Sequence, residues 1–306
     1  MLFLDGVGIG TDDPSVNPFL RARMPAFRFL FGGEIPTHSR MHAHNGICSL
    51  VPLDATLGVE GLPQSGTGQT ALFTGVNAAQ LIGKHFGPYP YSTLRPVISE
   101  KNIFSQLLAD GRSVYFANAY PQKFFEYFRT RPGRLTVTTL SYQHAGLSLR
   151  TYDDLVRGQA LSADITNAGW LRMGYDIAPI TPEEAGHRLV RLTRYYDFVL
   201  FEYWRTDKAG HSLDMDEALQ TLEIFDGLLA GVLQAINTQD TLLFITSDHG
   251  NIEDMGTKVH TRNPVPAILY GCKHHDVAEF LRKSPDLTAV TPTLRTILAR
   301  EAGSIP

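Results

Sequence analysis

The chain has 306 residues, of which 43% are hydrophobic and 19% charged, enough to bury a large core as one α/β domain or two small ones. A formal charge of -4 and a pI near 6.2 offer no basic field for a phosphate backbone, which argues against nucleic acid as a partner. Two distant cysteines, Cys48 and Cys272, exclude a disulfide framework and a thiolate zinc site and suit a cytoplasmic protein, and the sequence has neither a signal-peptide pattern nor a run approaching the roughly 20 apolar residues of a membrane span.

The first expected element is the strand "LFL", residues 2–4, which ends at Asp5; its brevity points to a natural start upstream. His42 and His44 alternate on an expected strand and so share a face, but no third ligand lies near them in sequence, and they are set aside. In "LPQSGTGQTALFTG", residues 62–75, Gly66 and Gly68 flank Thr67 ahead of a helical pattern. Ser65 is then expected at a turn before a helix N-terminus, where backbone N–H groups favour an anion. A serine N-cap and a phosphate cradle without chemistry are equally open there, and the spacing is not that of a P-loop.

"NIFSQLLADGRSVYFANAYP" reads as a core helix followed by a strand. Residues 121–178, rich in Arg, Tyr, Gly and Thr with weak periodicity, read as a lid-like insertion whose Lys123, Arg129, Arg131 and Arg134 either face an anionic substrate or are simply solvated. Beyond it, Thr181, Pro182 and Glu184 predict an N-cap, a first-turn proline and a capping-box acid for the helix leading into the strand "FVLFEYW". That strand runs into "RTDKAGH". The helix "DEALQTLEIFDGLLAGVLQAI" then leads to the strand "TLLFITS", which ends at Asp248 and His249. His274 and His275 are expected in a surface turn.

This alternation predicts a three-layer α/β/α sandwich with a mostly parallel sheet and a small inserted lid, residues 1–306 forming a single domain. In open sheets of this kind the C-terminal ends of the strands are where ligands bind. Asp5, Asp207, His211, Asp248, His249 and His260 all fall at or after such ends. A carboxylate and imidazole set suits Zn²⁺ or Mn²⁺ and is too rich in nitrogen for calcium. Any one Asp-His pair would ordinarily be a cap or a hydrogen-bonded turn. Three clusters after three strands are harder to explain that way, because six polar groups at a buried rim carry a desolvation cost that a cation would offset.

"LDGVG", "SGTGQTALFTG", "DKAGH", "SDHGNIEDM" and "HTRNPVP" occur in the order found in the alkaline phosphatase superfamily of metalloenzymes. The sequence resembles most the branch of cofactor-independent phosphoglycerate mutases and phosphopentomutases, over roughly residues 1–80 and 180–300. The resemblance implies one divalent metal, Mn or Zn, at Asp207, His211 and His260, and a second at Asp5, Asp248 and His249. It implies Ser65 as nucleophile, with Thr67 as the local rival. Thr67 and Lys208, the latter between two implied ligands, are candidates for substrate contact. The chain departs from the mutases in having no space for their large inserted domain after the nucleophile helix. The function expected is therefore hydrolysis of a small phosphorylated substrate through a phosphoserine, with a phosphomutase as the alternative and a phosphodiesterase or sulfatase-like hydrolase behind it.

Overall fold

The computed structural model describes residues 1–41, 46–131 and 134–299. His42 and His44 lie outside the described residues. The six strands are β1 (Leu2–Leu4), β2 (Cys48–Leu53), β3 (Val114–Phe116), β4 (Phe198–Tyr203), β5 (Leu242–Thr246) and β6 (Val265–Gly271). They form one sheet in the order β2-β6-β5-β1-β4-β3. β1 runs parallel to β4 and β5, and β3 runs parallel to β4. β6 is antiparallel to both β5 and β2, so the sheet is mostly, not wholly, parallel.

The period-2 alternation of the strands divides the apolar residues between two cores. Leu2, Leu4, Leu243 and Ile245 pack with the helices Pro182–Leu192 and Met215–Ala235 on one face. Phe3, Phe244 and Val265 pack with Ser65–Thr74, Ile103–Ala109 and Val137–His144 on the other. Three layers follow. Within residues 121–178, the helix Gln122–Thr130 has no buried residue, whereas Val137, Leu140 and Tyr142 of the helix Val137–His144 belong to the core. Among the described residues, no helix is long and apolar enough to cross a membrane.

Three local expectations are revised. Thr181 caps its helix by accepting from the Glu184 N–H at 3.2 Å, but the Glu184 carboxylate accepts from Arg188 and Arg191 at 3.1 and 3.0 Å, and its bonds are made along the helix instead of back to the cap. Ser65 opens its helix instead of preceding it, with Gln64 as N-cap. His274 and His275 begin the helix His274–Lys283, and the His274 Nδ1 lies 3.0 Å from the Ser49 hydroxyl on β2.

The helices Pro182–Leu192 and Met215–Ala235 cross backbone to backbone. A Cβ on Gly231 would lie 2.0 Å from the Glu183 carbonyl oxygen, and one on Gly186 would lie 2.2 Å from that of Leu228. Alanine improves helix propensity by about 1 kcal/mol over glycine, yet overpacking a rigid contact costs roughly 1–3 kcal/mol or more. Gly231→Ala is therefore expected to lower the urea midpoint. A midpoint equal to or above that of the wild type would show that the crossing yields freely.

Candidate metal centre

Asp5 follows β1, Asp248 and His249 follow β5, and Asp207 and His211 lie on the helix Arg205–Ser212 just after β4. Four residues apart, Asp207 and His211 share one face of that helix. His260 comes from the loop between β5 and β6, which the bridge between Gly250 and Thr261 holds near the strand end. The six residues gather into two triads, Asp207/His211/His260 and Asp5/Asp248/His249, each offering three ligand atoms within 4.8 Å of one another. The imidazoles of His249 and His260 join the triads, stacked with centroids 3.8 Å apart and planes 17° from parallel.

In the first triad, His211 Nε2 and His260 Nε2 each lie 3.4 Å from an Asp207 oxygen and 3.1 Å from each other. In the second, His249 Nε2 is 3.3 Å from Asp5 Oδ1 and 3.6 Å from Asp248 Oδ2. Ser65 Oγ stands 3.0 Å from the same His249 nitrogen. Close approach shapes the backbone around these groups: Gly6 has a φ of +70°, and a Cβ there would lie 2.6 Å from Asp207 Oδ1.

The residues fit divalent cations. Each imidazole has its Nδ1 near a backbone carbonyl: His260 to Pro63 at 2.7 Å, His211 to Lys258 at 2.9 Å and His249 to Gly250 at 3.4 Å. Donation from Nδ1 leaves a lone pair on every Nε2, the tautomer that binds metal. Two such lone pairs facing each other across 3.1 Å, with a carboxylate beside them, repel unless positive charge enters. The buried Oδ1 of Asp5 has no hydrogen-bond donor. Burial, followed by the charges of Asp248, Asp207 and Glu202, pushes the Asp5 carboxyl well above its ordinary range. Burial also acts to raise Asp207, but when the site takes up protons in place of a metal, hydrogen bonds donated from Nε2 of His211 and His260 outweigh it and hold that carboxyl far below the usual range. The hydrogen bond to Asp207 in turn raises His211 against the effect of burial. Both triads thus favour added positive charge, which a divalent ion supplies without protonating a ligand.

Thr67 and Lys208 are placed differently. The Thr67 hydroxyl is fully buried, donates to the Gln64 carbonyl at 3.1 Å and accepts from the Phe86 N–H at 3.2 Å, so it is committed to the backbone and not turned to the triads. Lys208 is exposed on the surface of its helix beside Asp207.

Several residues of the site escaped the sequence reading. Gln69 Nε2 donates to Asp248 at 3.0 Å and to Asp5 at 3.3 Å, and Asn251 Nδ2 donates to Asp207 Oδ1 at 2.6 Å. The fully buried Glu253 accepts from the Gly8 and Asn251 N–H groups, both at 2.8 Å, from Asn263 at 3.0 Å and from the Thr261 hydroxyl. One carboxylate therefore pins together the loops that carry Asp5, Asp248, His249 and His260. Gln69, Asn251 and Glu253 sit inside the quoted motifs, and that was their only signal.

Glu202, on β4, accepts from the Thr138 hydroxyl at 2.6 Å. Burial, with a further contribution from Asp248, pushes it up to about 7 against that bond. A carboxyl whose folded pKa exceeds its unfolded one takes up protons on folding, so stability falls as pH rises through the interval between the two values. In metal-stripped protein, Glu202→Gln is expected to remove this loss, which the full shift puts at roughly 3 kcal/mol at most, and to be more stable than the wild type at pH 8. Equal urea stabilities of the two proteins at pH 5 and pH 8 would refute the assignment.

Residues 174–302 match the model of the Metalloenzyme superfamily. The phosphoglycerate mutase of the 2,3-bisphosphoglycerate-independent type from Acaryochloris marina is 40% identical over 117 residues, 34% of this chain and 22% of that protein. The same enzyme from Halobacterium salinarum is 34% identical over 107 residues, 33% of this chain and 21% of that protein. The chain thus matches only a minor part of these relatives. Among solved structures, a Pyrococcus horikoshii protein superposes over 99% of this chain and 98% of its own with a TM-score of 0.57 and 13% identity. The alkaline phosphatase of the Antarctic bacterium TAB5 superposes over 97% of both chains with a TM-score of 0.51 and 13% identity. At that identity the superpositions speak for the fold alone. Over residues 174–302 the chain thus resembles the Metalloenzyme superfamily, and its sequence likeness there is to phosphoglycerate mutases.

Proposed function

We propose that this protein transfers the phosphoryl group of a small phosphate monoester to Ser65 and then to water, with one divalent ion, Mn or Zn, held by Asp207, His211 and His260 and another by Asp5, Asp248 and His249. The observation that carries the reading is the Ser65 hydroxyl 3.0 Å from His249 Nε2 of the second triad, at the start of a ten-residue helix. When bound, two such cations lower the pKa of a serine hydroxyl and neutralise charge on attacking and leaving oxygens. Asn251 and Gln69 orient the carboxylates through their amide N–H groups. In the first step the Oγ–P bond forms, the ester P–O bond breaks, the serine proton passes to solvent and the departing alkoxide takes a proton from solvent. In the second step a water oxygen bonds to phosphorus as that water gives up a proton to solvent, the Oγ–P bond breaks, the serine oxygen takes a proton from solvent and inorganic phosphate leaves.

Water as acceptor is supported by the open mouth of the site, where the His211 side chain is 44% exposed. The names of the sequence relatives favour the second reading, a phosphomutase, and bear on it more directly than on hydrolysis. In that reading a second hydroxyl of the retained substrate receives the phosphoryl group in place of water. Incubating the Mn- or Zn-loaded protein with a panel of sugar phosphates and phosphoglycerates separates the two. Hydrolysis releases inorganic phosphate as fast as substrate disappears. Accumulation of an isomeric phosphate without free phosphate would establish the mutase instead.

A further inference from the structure

Gln69 stands four residues after Ser65 in the helix Ser65–Thr74, so both side chains leave one face of it, toward the second triad. The helix runs close against the loop it faces: a Cβ on Gly68 would lie 2.6 Å from the Asp248 carbonyl oxygen. Gln69 is 1% exposed, and its one amide nitrogen reaches Asp248 Oδ2 at 3.0 Å and Asp5 Oδ2 at 3.3 Å. The reversed amide would aim a carbonyl oxygen at two carboxylates, so charge fixes its orientation. Its buried Oε1 has no donor, a cost that marks the nitrogen as the end for which this side chain is held in place. On Asp248 the other oxygen, Oδ1, accepts from the Gly6 N–H at 3.3 Å. Of the four carboxylate oxygens in this triad, Asp5 Oδ1 is the one without a donor, and it lies 3.3 Å from His249 Nε2.

We propose that Gln69 is a positioning residue that limits Asp5 to a single oxygen toward the second ion, and that it thereby makes this triad discriminate against Ca²⁺. This role rests on the two-metal reading of the triads. With Asp5 Oδ2 engaged by Gln69 and Asp248 Oδ1 by Gly6, the triad offers Asp5 Oδ1, Asp248 Oδ2 and His249 Nε2, two oxygens and one nitrogen. Zn²⁺ and Mn²⁺ accept imidazole, whereas Ca²⁺ takes roughly six to eight oxygens and commonly gathers them from bidentate carboxylates. One oxygen from each aspartate also leaves coordination room for Ser65 Oγ, 3.0 Å from the same imidazole nitrogen. Without the Gln69 amide, Asp5 gains a second oxygen for the ion and loses the bond that sets the plane of its carboxylate. The first change helps the larger, oxygen-seeking cation, and the second weakens the smaller one that depends on ligand orientation.

The test titrates metal-free wild type, Gln69→Leu and Gln69→Met with Mn²⁺ and, separately, with Ca²⁺ by calorimetry, and the anomalous signal of Mn²⁺ in crystals assigns each step to a triad. At the second triad the ratio of the Ca²⁺ to the Mn²⁺ dissociation constant is expected to fall about tenfold or more in both variants, the size usual when a ligand's supporting bond is removed. The first triad, whose Asp207 takes its amide bond from Asn251, should keep its ratio within about twofold. An unchanged ratio at the second triad would overturn the proposal, and so would an equal weakening of both ions, which is what a purely structural role would give. The wild type decides the matter independently of any variant. In its Mn²⁺-loaded crystal, Asp5 bound through Oδ1 alone, with Gln69 still on Oδ2, upholds the proposal, whereas Asp5 Oδ2 within about 2.6 Å of the ion overturns it and leaves the two-metal reading standing. Absence of a second ion at saturating Mn²⁺ would overturn both together.

Discussion

Ser65→Ala is expected to lower the rate of phosphate release by roughly four orders of magnitude or more, since removing a nucleophile leaves only binding and electrostatic stabilisation. The metal content should stay at two ions per chain or fall to one, because Asp207, His211 and His260 make no hydrogen bond to this serine. Thr67→Ala is the matched control. Its hydroxyl bonds only to the backbone of Gln64 and Phe86, so its removal should cost about 1 kcal/mol of stability and spare turnover. Initial rates of phosphate release, measured with the metal content of each sample, decide between them. Wild-type turnover in Ser65→Ala would transfer the chemistry to direct attack by water, and loss of turnover only in Thr67→Ala would place the nucleophile two residues later.

His260→Ala is the second large effect. The ring supplies one of three donors to its triad, stacks on His249 and is fixed by the Pro63 carbonyl. Its removal is expected to weaken the first metal by at least about 100-fold, comparable with the upper range for disturbing a ligand's supporting bonds, and to reduce the bound metal from two equivalents to one. Asp5, Asp248 and His249 keep the other ion. Activity should fall with metal occupancy, and the folded state should persist, because a ligand at the rim contributes little to either apolar core. Metal analysis after dialysis is the direct measurement. Two tightly held equivalents in His260→Ala would dissolve the assignment of this triad.

The parts of this molecule that were legible in its sequence are those governed by local periodicity. β1, β4 and β5 fall where apolar runs stop at acidic or imidazole residues, and Thr181 caps the helix it precedes. The convergence of Asp5, Asp207 and Asp248 followed from their being at the ends of parallel strands. The antiparallel β6 did not follow, because strand direction depends on which neighbours pair and not on the strand's own pattern. Gln69, Asn251 and Glu253 were equally hidden. Each acts through partners distant in sequence or through backbone groups, and nothing in a buried amide or acid on its own tells which loop it will brace. Glu202 lies inside the strand "FVLFEY", where a polar residue flanked by apolar ones looks solvent-facing by alternation, although the fold buries it against Thr138.

The place of β1 in the sheet has a consequence for how the protein acquires its activity. Leu2 pairs with Phe201 on one side and with Ile245 on the other, so β1 fills a gap between strands that come about 200 residues or more later in the chain. Bringing such distant segments together incurs loop-closure entropy before any contact rewards it, and folds dominated by non-local pairing form slowly. Asp5 therefore waits, uncommitted, until the ribosome has delivered residues beyond 246. Neither triad is complete within one local segment, so the unfolded chain contains no ready-made site and a metal ion would bind chiefly the finished sheet. By mass action, a free ion at a hundred times its dissociation constant stabilises that sheet by about 2.7 kcal/mol per site. Metal supplied during synthesis would on that account raise the yield of folded protein.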